Sequence, residues 1–375
     1  MNLVIALFGL QRQHRNLQKE INEAVYDVLA AGEYILGPRV QMLEKQVAGY
    51  CGVEHGIGVA SGSDALFLSL VACGIGRGDE VITTPYTFFA TAGAISRAGA
   101  IPVFVDIDRR TYNINPEQIA DKISARTKAV IPVHIFGQMA DMDAVLELSR
   151  KNGLVVIEDA CQAMGSEKNG RKAGSLGHAG CFSFFPTKNL GCVGDGGMVV
   201  TRDEKIASKI RSLRSHGSKQ KNFHQTVGCN SRLDEIQAAV LLVKLKYLDD
   251  WLNQRAALAE RYNHLLGEAV VTPFVAPGNR HTFHIYTIRT TQRDRVKNYL
   301  EKHGVSCGLY YPLPLHLQEV YKSLGYRKGD LPEAEKASGE LLGIPLYPEL
   351  TITEIERITS LIRSHTTFHP SSYSK

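Results

Sequence analysis

Between residues 57 and 201 the chain repeats one unit: a short run of β-favouring apolar residues, a polar or glycine-bearing break, then a helical pattern. Strand-like runs fall at 57–60, 80–84, 101–106, 128–134, 154–158, 179–185 and 197–201. Helical patterns lie between most of them, at 63–73, 89–98, 116–124 and 141–150. This alternation predicts an α/β fold, a mostly parallel sheet flanked by helices on right-handed crossovers. Open sheets of this kind bind ligands beyond the carboxyl ends of their strands. Pro132 falls inside the fourth run, where its missing N–H leaves the strand limits open. With 375 residues, 44% of them hydrophobic, the chain can bury a large core and carry a smaller second domain.

A helical pattern at 16–31 ends near Gly32 and precedes the repeating part. Residues 231–266 read as mainly helical, with Trp251 about midway. Beyond Pro273 and Pro277 the texture changes to a strand at 284–290, a helix at 293–303, a strand at 305–311 and an amphipathic helix at 353–364. The expected division is a large α/β domain over 1–249, with the N-terminal helical segment, and a small α+β domain over 250–375. The tail His365–Lys375 is polar and expected to fray.

Three strand ends carry candidate chemistry. The apolar run Ala179–Phe185 leads to Lys188, which is followed by glycines at 191, 194, 196 and 197. A lysine held at a buried strand end under aromatic cover is poorly hydrated, which favours the neutral amine able to attack a carbonyl. Taken alone, Lys188 is equally a snorkelling strand-end lysine. The run Leu154–Ile157 leads to Glu158, Asp159 and Gln162. An acid and a lysine at two strand ends suit pyridoxal 5′-phosphate (PLP): the acid keeps the pyridine nitrogen protonated so that the ring accepts electrons. Gln162 is placed to hydrogen-bond the phenolic oxygen, and Glu158 alternates away from Asp159 toward a structural role. Asp159 also suits a plain helix cap or turn. Third, Ser61-Gly62-Ser63 sits between a short strand and an apolar helix that stops at Gly74. Free N–H groups there suit a phosphate, although an ordinary serine cap explains the same residues.

The order of the motifs Ala-Ser-Gly-Ser-Asp-Ala-Leu (60–66), Thr-Phe-Phe-Ala-Thr (87–91), Glu-Asp-Ala-Cys-Gln-Ala (158–163) and Phe-Ser-Phe-Phe-Pro-Thr-Lys-Asn-Leu-Gly (182–191) resembles the DegT/DnrJ/StrS family of nucleotide-sugar aminotransferases. Gly-Asp-Gly-Gly (194–197) and Asn-Ser-Arg-Leu-Asp-Glu-Ile-Gln-Ala-Ala (230–239) extend the likeness, which runs from about Tyr34 to the C-terminal helix. The resemblance implies the fold-type I architecture of the aspartate aminotransferase superfamily and PLP as cofactor, with pyridoxamine 5′-phosphate as its aminated form. It implies that Lys188 bonds the cofactor, Asp159 pairs with the pyridine nitrogen and Gln162 meets the phenolic oxygen. Gly62, Ser63 and Ser183 would bind the phosphate, Phe88 would stack on the ring, and Asn230 would reach the phosphate from the partner of a homodimer. Ser63 stands where many relatives carry threonine, and Cys161 where alanine is common; both keep the local chemistry.

The segment Gly308–Gln318 holds Tyr310, Tyr311 and His316 among prolines. Its texture fits a sugar-facing loop and a proline-braced linker equally. The resemblance favours the loop, and the Tyr-Pro-Leu-Pro-Leu-His pattern looks most like members that aminate C3 of a 3-keto hexose. Arg232 resembles a substrate-contacting arginine from the neighbouring subunit; otherwise it pairs with Asp234 or Glu235. The implied reaction moves an amino group from L-glutamate to a UDP- or dTDP-linked keto-hexose, for amino-sugar or surface-polysaccharide biosynthesis. The alternatives are a C4 aminotransferase and a PLP-binding regulator without turnover. A family dehydratase would carry histidine in place of Lys188, and Gly-Asp-Gly-Gly lacks the spacing of a dinucleotide loop.

The remaining composition bounds partners. A formal charge of +5, from 43 basic and 38 acidic residues, is mild. The stretch Arg211, Arg214, Lys219 and Lys221 reads as a solvated helix end rather than a nucleic-acid face. Seven cysteines show no metal-type spacing, so no metal is expected and reduced thiols in a cytoplasmic setting are the simplest reading. His134 reads as a core or second-layer histidine, and His216 as a structural helix-end group. The stretch Met1–Leu10 lacks a signal peptide's basic start and cleavage site, and no apolar run reaches bilayer length.

Overall fold

The computed structural model describes residues 4–220 and 222–366; Lys221 and the tail beyond Thr366, both named above, lie outside the described residues. Seven strands form the central sheet: β1 (His55–Val59), β2 (Glu80–Thr83), β3 (Ile101–Phe104), β4 (Thr127–Ile131), β5 (Val155–Asp159), β6 (Ala179–Ser183) and β7 (Gly197–Thr201). Their spatial order is β1-β7-β6-β5-β4-β2-β3. Strands β6, β5, β4, β2 and β3 pair in parallel, whereas β7 is antiparallel to both β1 and β6. The carboxyl ends of six strands therefore share one edge. The fourth run stops at Ile131, before Pro132, and pairing resumes as an isolated bridge between Val133 and Asp159.

The strands read as continuous apolar runs because both faces are covered. On one face Ile82, Val130, Val156 and Phe182 pack with α2 (Pro38–Cys51), α5 (Met142–Lys151), α7 (Glu235–Leu245) and the start of α8 (Leu248–Leu266). On the other, Val81, Ala129, Ile157 and Val199 pack with α3 (Gly62–Ala72), α4 (Ala90–Arg97) and α6 (Glu204–Leu213). The helix α1 (Leu10–Ala31) starts earlier than its sequence pattern. Helix α2 had no counterpart in the sequence reading, although Pro38 opens it and Gly52 ends it at φ +72°. Residues 116–124 form two 3₁₀ turns, Pro116–Gln118 and Ala120–Lys122, in place of the expected helix.

The C-terminal part pairs β8 (Tyr286–Arg289) antiparallel with β9 (Leu341–Ile344), and α9 (Arg293–Lys302) and α11 (Ile352–Arg363) pack with this pair. Helix α10 (Pro332–Glu340) leads into β9. The strand expected at 305–311 is reduced to two isolated bridges, Val305 with Ile5 and Gly308 with Gly343. Gly308 and Gly343 exchange both backbone hydrogen bonds at 3.0 and 2.8 Å. The Tyr310 ring lies where a Cβ at Gly308 would stand, and a Cβ at Gly343 would press on it at 3.0 Å, so the ring sits close over both glycines. Helix α8 joins the two cores: Leu248 and Leu252 belong to the first, Ala259, Tyr262 and Leu266 to the second. Ile5 also lies in the second core, so the N-terminal segment packs with the C-terminal part.

Arg12 of α1 reaches across to Glu354, at 2.8 Å from Nη1, while Thr351 and Glu354 form a capping box at the start of α11. The Arg12 hydrogen bond, with help from Thr351, pushes the Glu354 carboxyl down to about 2. A depressed folded-state pKa adds stability above the unfolded value, and that stability is lost as pH falls toward the folded value. Glu354→Gln should therefore lower unfolding free energy by about 1–2 kcal/mol at pH 7, allowing for the part-exposed arginine. In calorimetry the deficit should shrink as pH falls from about 4.5 toward 2; a pH-independent deficit would contradict this role.

Candidate active site

The loops at the shared edge enclose a cavity of about 530 Å³. It is lined from β1–α3 by Ser61, Gly62 and Ser63, from β2–α4 by Thr87, Phe88 and Thr91, from β5 by Asp159, Cys161 and Gln162, and from β6 by Ser183 and Lys188. Tyr310, Tyr311, His284 and Phe8 close it from the C-terminal part and the N-terminal segment. Its size is that of small-molecule sites, roughly 300–1,000 Å³.

Strand register sets the two groups of greatest chemical interest. Asp159 pairs with Cys181 across β5 and β6, and Lys188 follows β6 by five residues (188 − 183 = 5). Among the described residues no carboxylate forms an ion pair with Lys188, and its amine has one contact, His284 Nε2 at 3.5 Å. Burial pushes the Lys188 ammonium below its usual pKa, against the opposing pull of Cys161 and Asp159. Asp159 is fixed on both oxygens: Oδ2 accepts from Thr91 Oγ1 at 2.7 Å, and Oδ1 from the Cys161 N–H at 3.2 Å. Thr91 is in turn 2.9 Å from Thr87, hydroxyl to hydroxyl. Burial, with Asp159 nearby, pushes the Cys161 thiol well up, so it stays protonated.

Glu158 points to the other side of β5, as strand alternation requires. It is fully buried, 2.9 Å from His134 Nε2, and accepts the N–H groups of Gly174, Leu176 and Gly177 at 2.8, 2.7 and 2.6 Å. His134 Nδ1 accepts from the Ala140 N–H at 3.1 Å, so Nε2 carries the proton toward Glu158.

Ser61 caps α3 by accepting the Asp64 N–H at 3.1 Å, and the N–H groups of Gly62 and Ser63, ahead of it in the first turn, have no intrahelical acceptor. Gly62 is required here, because a Cβ would stand 2.7 Å from Ser183 Cβ and 2.9 Å from Cys161 Sγ. Gln162 Oε1 accepts the Phe136 N–H at 2.8 Å, and Nε2 donates to Tyr311 Oη at 3.0 Å. Burial pushes the Tyr311 hydroxyl well up, leaving its own proton for donation. Phe88 is 56% exposed at the mouth, 6.0 Å from the Tyr311 ring.

Three sequence candidates do not line this cavity. His316 is buried, with Nε2 3.1 Å from Glu335. Asn230 is exposed and bridged to Ser215, and Arg232 is part-buried nearby. Arg214 of the basic stretch is buried against Glu44 at 2.5 Å and the Gly58 carbonyl at 2.7 Å. Sequence reasoning passed over Thr87 and Thr91, whose hydroxyls are one helical turn apart and so can meet. It also passed over His284 and Phe8, which reach the cavity only through the tertiary fold. Among the described residues no cluster of three metal-ligating side chains occurs, and no helix is long and apolar enough to cross a membrane.

The profile of the DegT/DnrJ/EryC1/StrS aminotransferase family matches residues 15–363. A Geobacillus stearothermophilus protein named pleiotropic regulatory protein is 52% identical over 350 residues, covering 92% of this chain and 94% of that one. UDP-N-acetyl-3-dehydro-alpha-D-glucosamine 3-aminotransferase of Acidithiobacillus ferrooxidans is 44% identical over 363 residues, covering 96% and 98%. Among solved structures, S. venezuelae DesV in complex with a ketimine intermediate is similar with a TM-score of 0.95 at 40% identity, covering 97% and 98%.

The Glu158 pair backs the strand that presents Asp159. Glu158→Ala would leave the buried Gly174 N–H, the part-buried Leu176 and Gly177 N–H groups and His134 without their acceptor, at a cost of about 3 kcal/mol. A clear fall in melting temperature is expected, and an unchanged melting temperature would remove this support from β5.

Proposed function

The chain belongs to the DegT/DnrJ/EryC1/StrS aminotransferase family, and from that premise we propose that it moves an amino group from L-glutamate to C3 of a nucleotide-linked keto-hexose, UDP- or dTDP-bound, for amino-sugar biosynthesis. Relatives named as UDP- and dTDP-sugar 3-aminotransferases over nearly the full chain support this substrate class. Aminotransferases of this family use PLP. The residues present fit that group. A buried amine with no carboxylate counter-ion among the described residues stands in the cavity, a carboxylate is held on both oxygens by other donors, and the Gly62 position at the helix start has room for nothing larger than glycine.

When bound, PLP carries the amino group between donor and acceptor and takes up the electrons released at carbon. In our reading Lys188 would hold the cofactor aldehyde, and its amine, free once the donor's amine has taken that place, would move the donor's α-proton at Nζ. Burial lowers its pKa, which favours the neutral amine that this exchange requires. Asp159 holds the pyridine nitrogen, and Thr91 with the Cys161 N–H orients its carboxylate. Gly62, Ser63 and Ser183 receive the phosphate at the α3 start. Gln162 presents its amide to the phenolic oxygen, and Phe88 covers one ring face. Tyr310 and Tyr311 face the sugar.

The cavity lies where residues 1–249 meet residues 250–375, the division we propose for the two domains, with the N-terminal segment carried on the second. We further propose a homodimer in which Asn230 and Arg232 serve the partner's site. Exposed Phe88, Phe89 and Phe185 near the mouth supply apolar surface for a second copy. Seven unpaired cysteines accord with a reducing cytoplasm. The regulatory name of the Geobacillus relative does not account for an amine desolvated without a counter-ion, so turnover remains the better reading.

The observation that carries this is the convergence of Lys188 and Asp159 on one cavity. Glutamate should shift the long-wavelength absorbance of the PLP-loaded protein. Lys188→Ala should retain the cofactor but lose at least about 10³-fold in turnover. Near-wild-type turnover in that variant would sink the assignment. The aminated form, offered UDP- and dTDP-linked 3-keto and 4-keto sugars, should react with the 3-keto compounds first; a 4-keto preference would move the reaction to C4.

A further inference from the structure

His284 lies two residues before β8 and is 4% exposed, yet it lines the cavity. Its Nε2 is the one side-chain partner of the Lys188 amine among the described residues, and its Nδ1 is buried without any. The Phe8 ring lies against it, with centroids 6.4 Å apart and planes 25° from parallel. Phe8 is brought there by the N-terminal segment, which Ile5 anchors through hydrogen bonds with Gly304 and Ser306 at 2.8 and 2.9 Å. A buried ring nitrogen left without a partner is costly, so filler alone is a poor reason for a histidine here.

We propose that His284 is a positioning residue for Lys188, accepting one N–H of Nζ at Nε2 so that the rest of the amine is aimed into the cavity. The inference rests on the reading of Lys188 given above. Burial, with the Lys188 and Arg255 charges adding to it, holds the imidazole well below its usual pKa. The ring therefore stays neutral, with its proton on Nδ1, and does not compete with Lys188 for protons. Phe8 limits the ring's freedom to turn away. The other titratable groups acting on the amine are Asp159 and Cys161, and they remain in every variant below.

The test follows Lys188 itself. Full-length protein freed of cofactor is treated with a small amine-modifying reagent across a pH series, and modification of the Lys188 peptide is timed by mass spectrometry. His284→Phe keeps a ring against Phe8 but removes Nε2; His284→Gln returns an acceptor at about that reach. Losing the acceptor removes a hydrogen bond that favours the ammonium. The apparent Lys188 pKa should fall by about half a unit to one unit in His284→Phe and recover in His284→Gln. In the PLP-loaded enzyme kcat should fall about 10–100-fold in the phenylalanine variant, with KM for glutamate changed less than about threefold. If His284→Phe does not fold, His284→Asn takes its place, since asparagine is too short to supply the Nε2 acceptor. Identical Lys188 profiles in all the proteins overturn the inference, whatever happens to turnover. Lys188→Ala separates the two claims: if it still turns over, the reading of Lys188 fails, whereas if it is dead and His284→Phe behaves as wild type, only the role of His284 fails.

Discussion

An amine buried without a counter-ion is unstable in water's absence, and the site is organised around keeping one there. Lys188 has no carboxylate within ion-pair distance among the described residues, although Asp159 lines the same cavity. The separation is maintained because Asp159 is committed elsewhere: Thr91 and the Cys161 N–H hold its two oxygens. A salt bridge between the two would fix the lysine as ammonium and spend the acid's charge. Asp159 at the end of β5 and Lys188 in the loop after β6 therefore line one cavity without pairing.

That spacing rests on the sheet. Strands β5 and β6 are parallel, buried on both faces and locked in register by Asp159 opposite Cys181. One residue earlier, the buried Glu158 turns to the opposite side and accepts from three N–H groups and the buried His134. Two neighbouring acids thus do different work because a strand alternates its side chains. One secures the scaffold and the other faces the chemistry. The cavity is completed from outside the sheet by His284, Tyr310 and Tyr311, and by Phe8 from a segment that threads into the second core.

The strands were legible because burial on both faces writes them as uninterrupted apolar runs, and the strand-end residues because parallel sheets gather ligands at one edge. Helix α2 was legible but went unread: Val40, Leu43, Val47, Ala48 and Cys51 recur at helical spacing between Pro38 and Gly52. The segment 305–311 has strand texture, yet Tyr310 packs over the glycines and holds pairing to single bridges. His316 looks like a polar loop tip in sequence, but Glu335, brought close by α10, draws it into a buried pair. The support given to Asp159 by Thr91, and the approach of His284 and Phe8 to Lys188, depend on separations of tens to hundreds of residues that no local pattern encodes.

The most direct measurement of the central claim is where PLP bonds to the chain. Borohydride reduction of the loaded protein, followed by proteolysis and peptide mass mapping, fixes the cofactor to the amine it occupies. The phosphopyridoxyl mass should appear on Lys188 at close to one per chain, and should be absent from Lys244, whose pKa burial also depresses. Labelling at Lys244 or another lysine, or no stoichiometric label, would contradict the site described here.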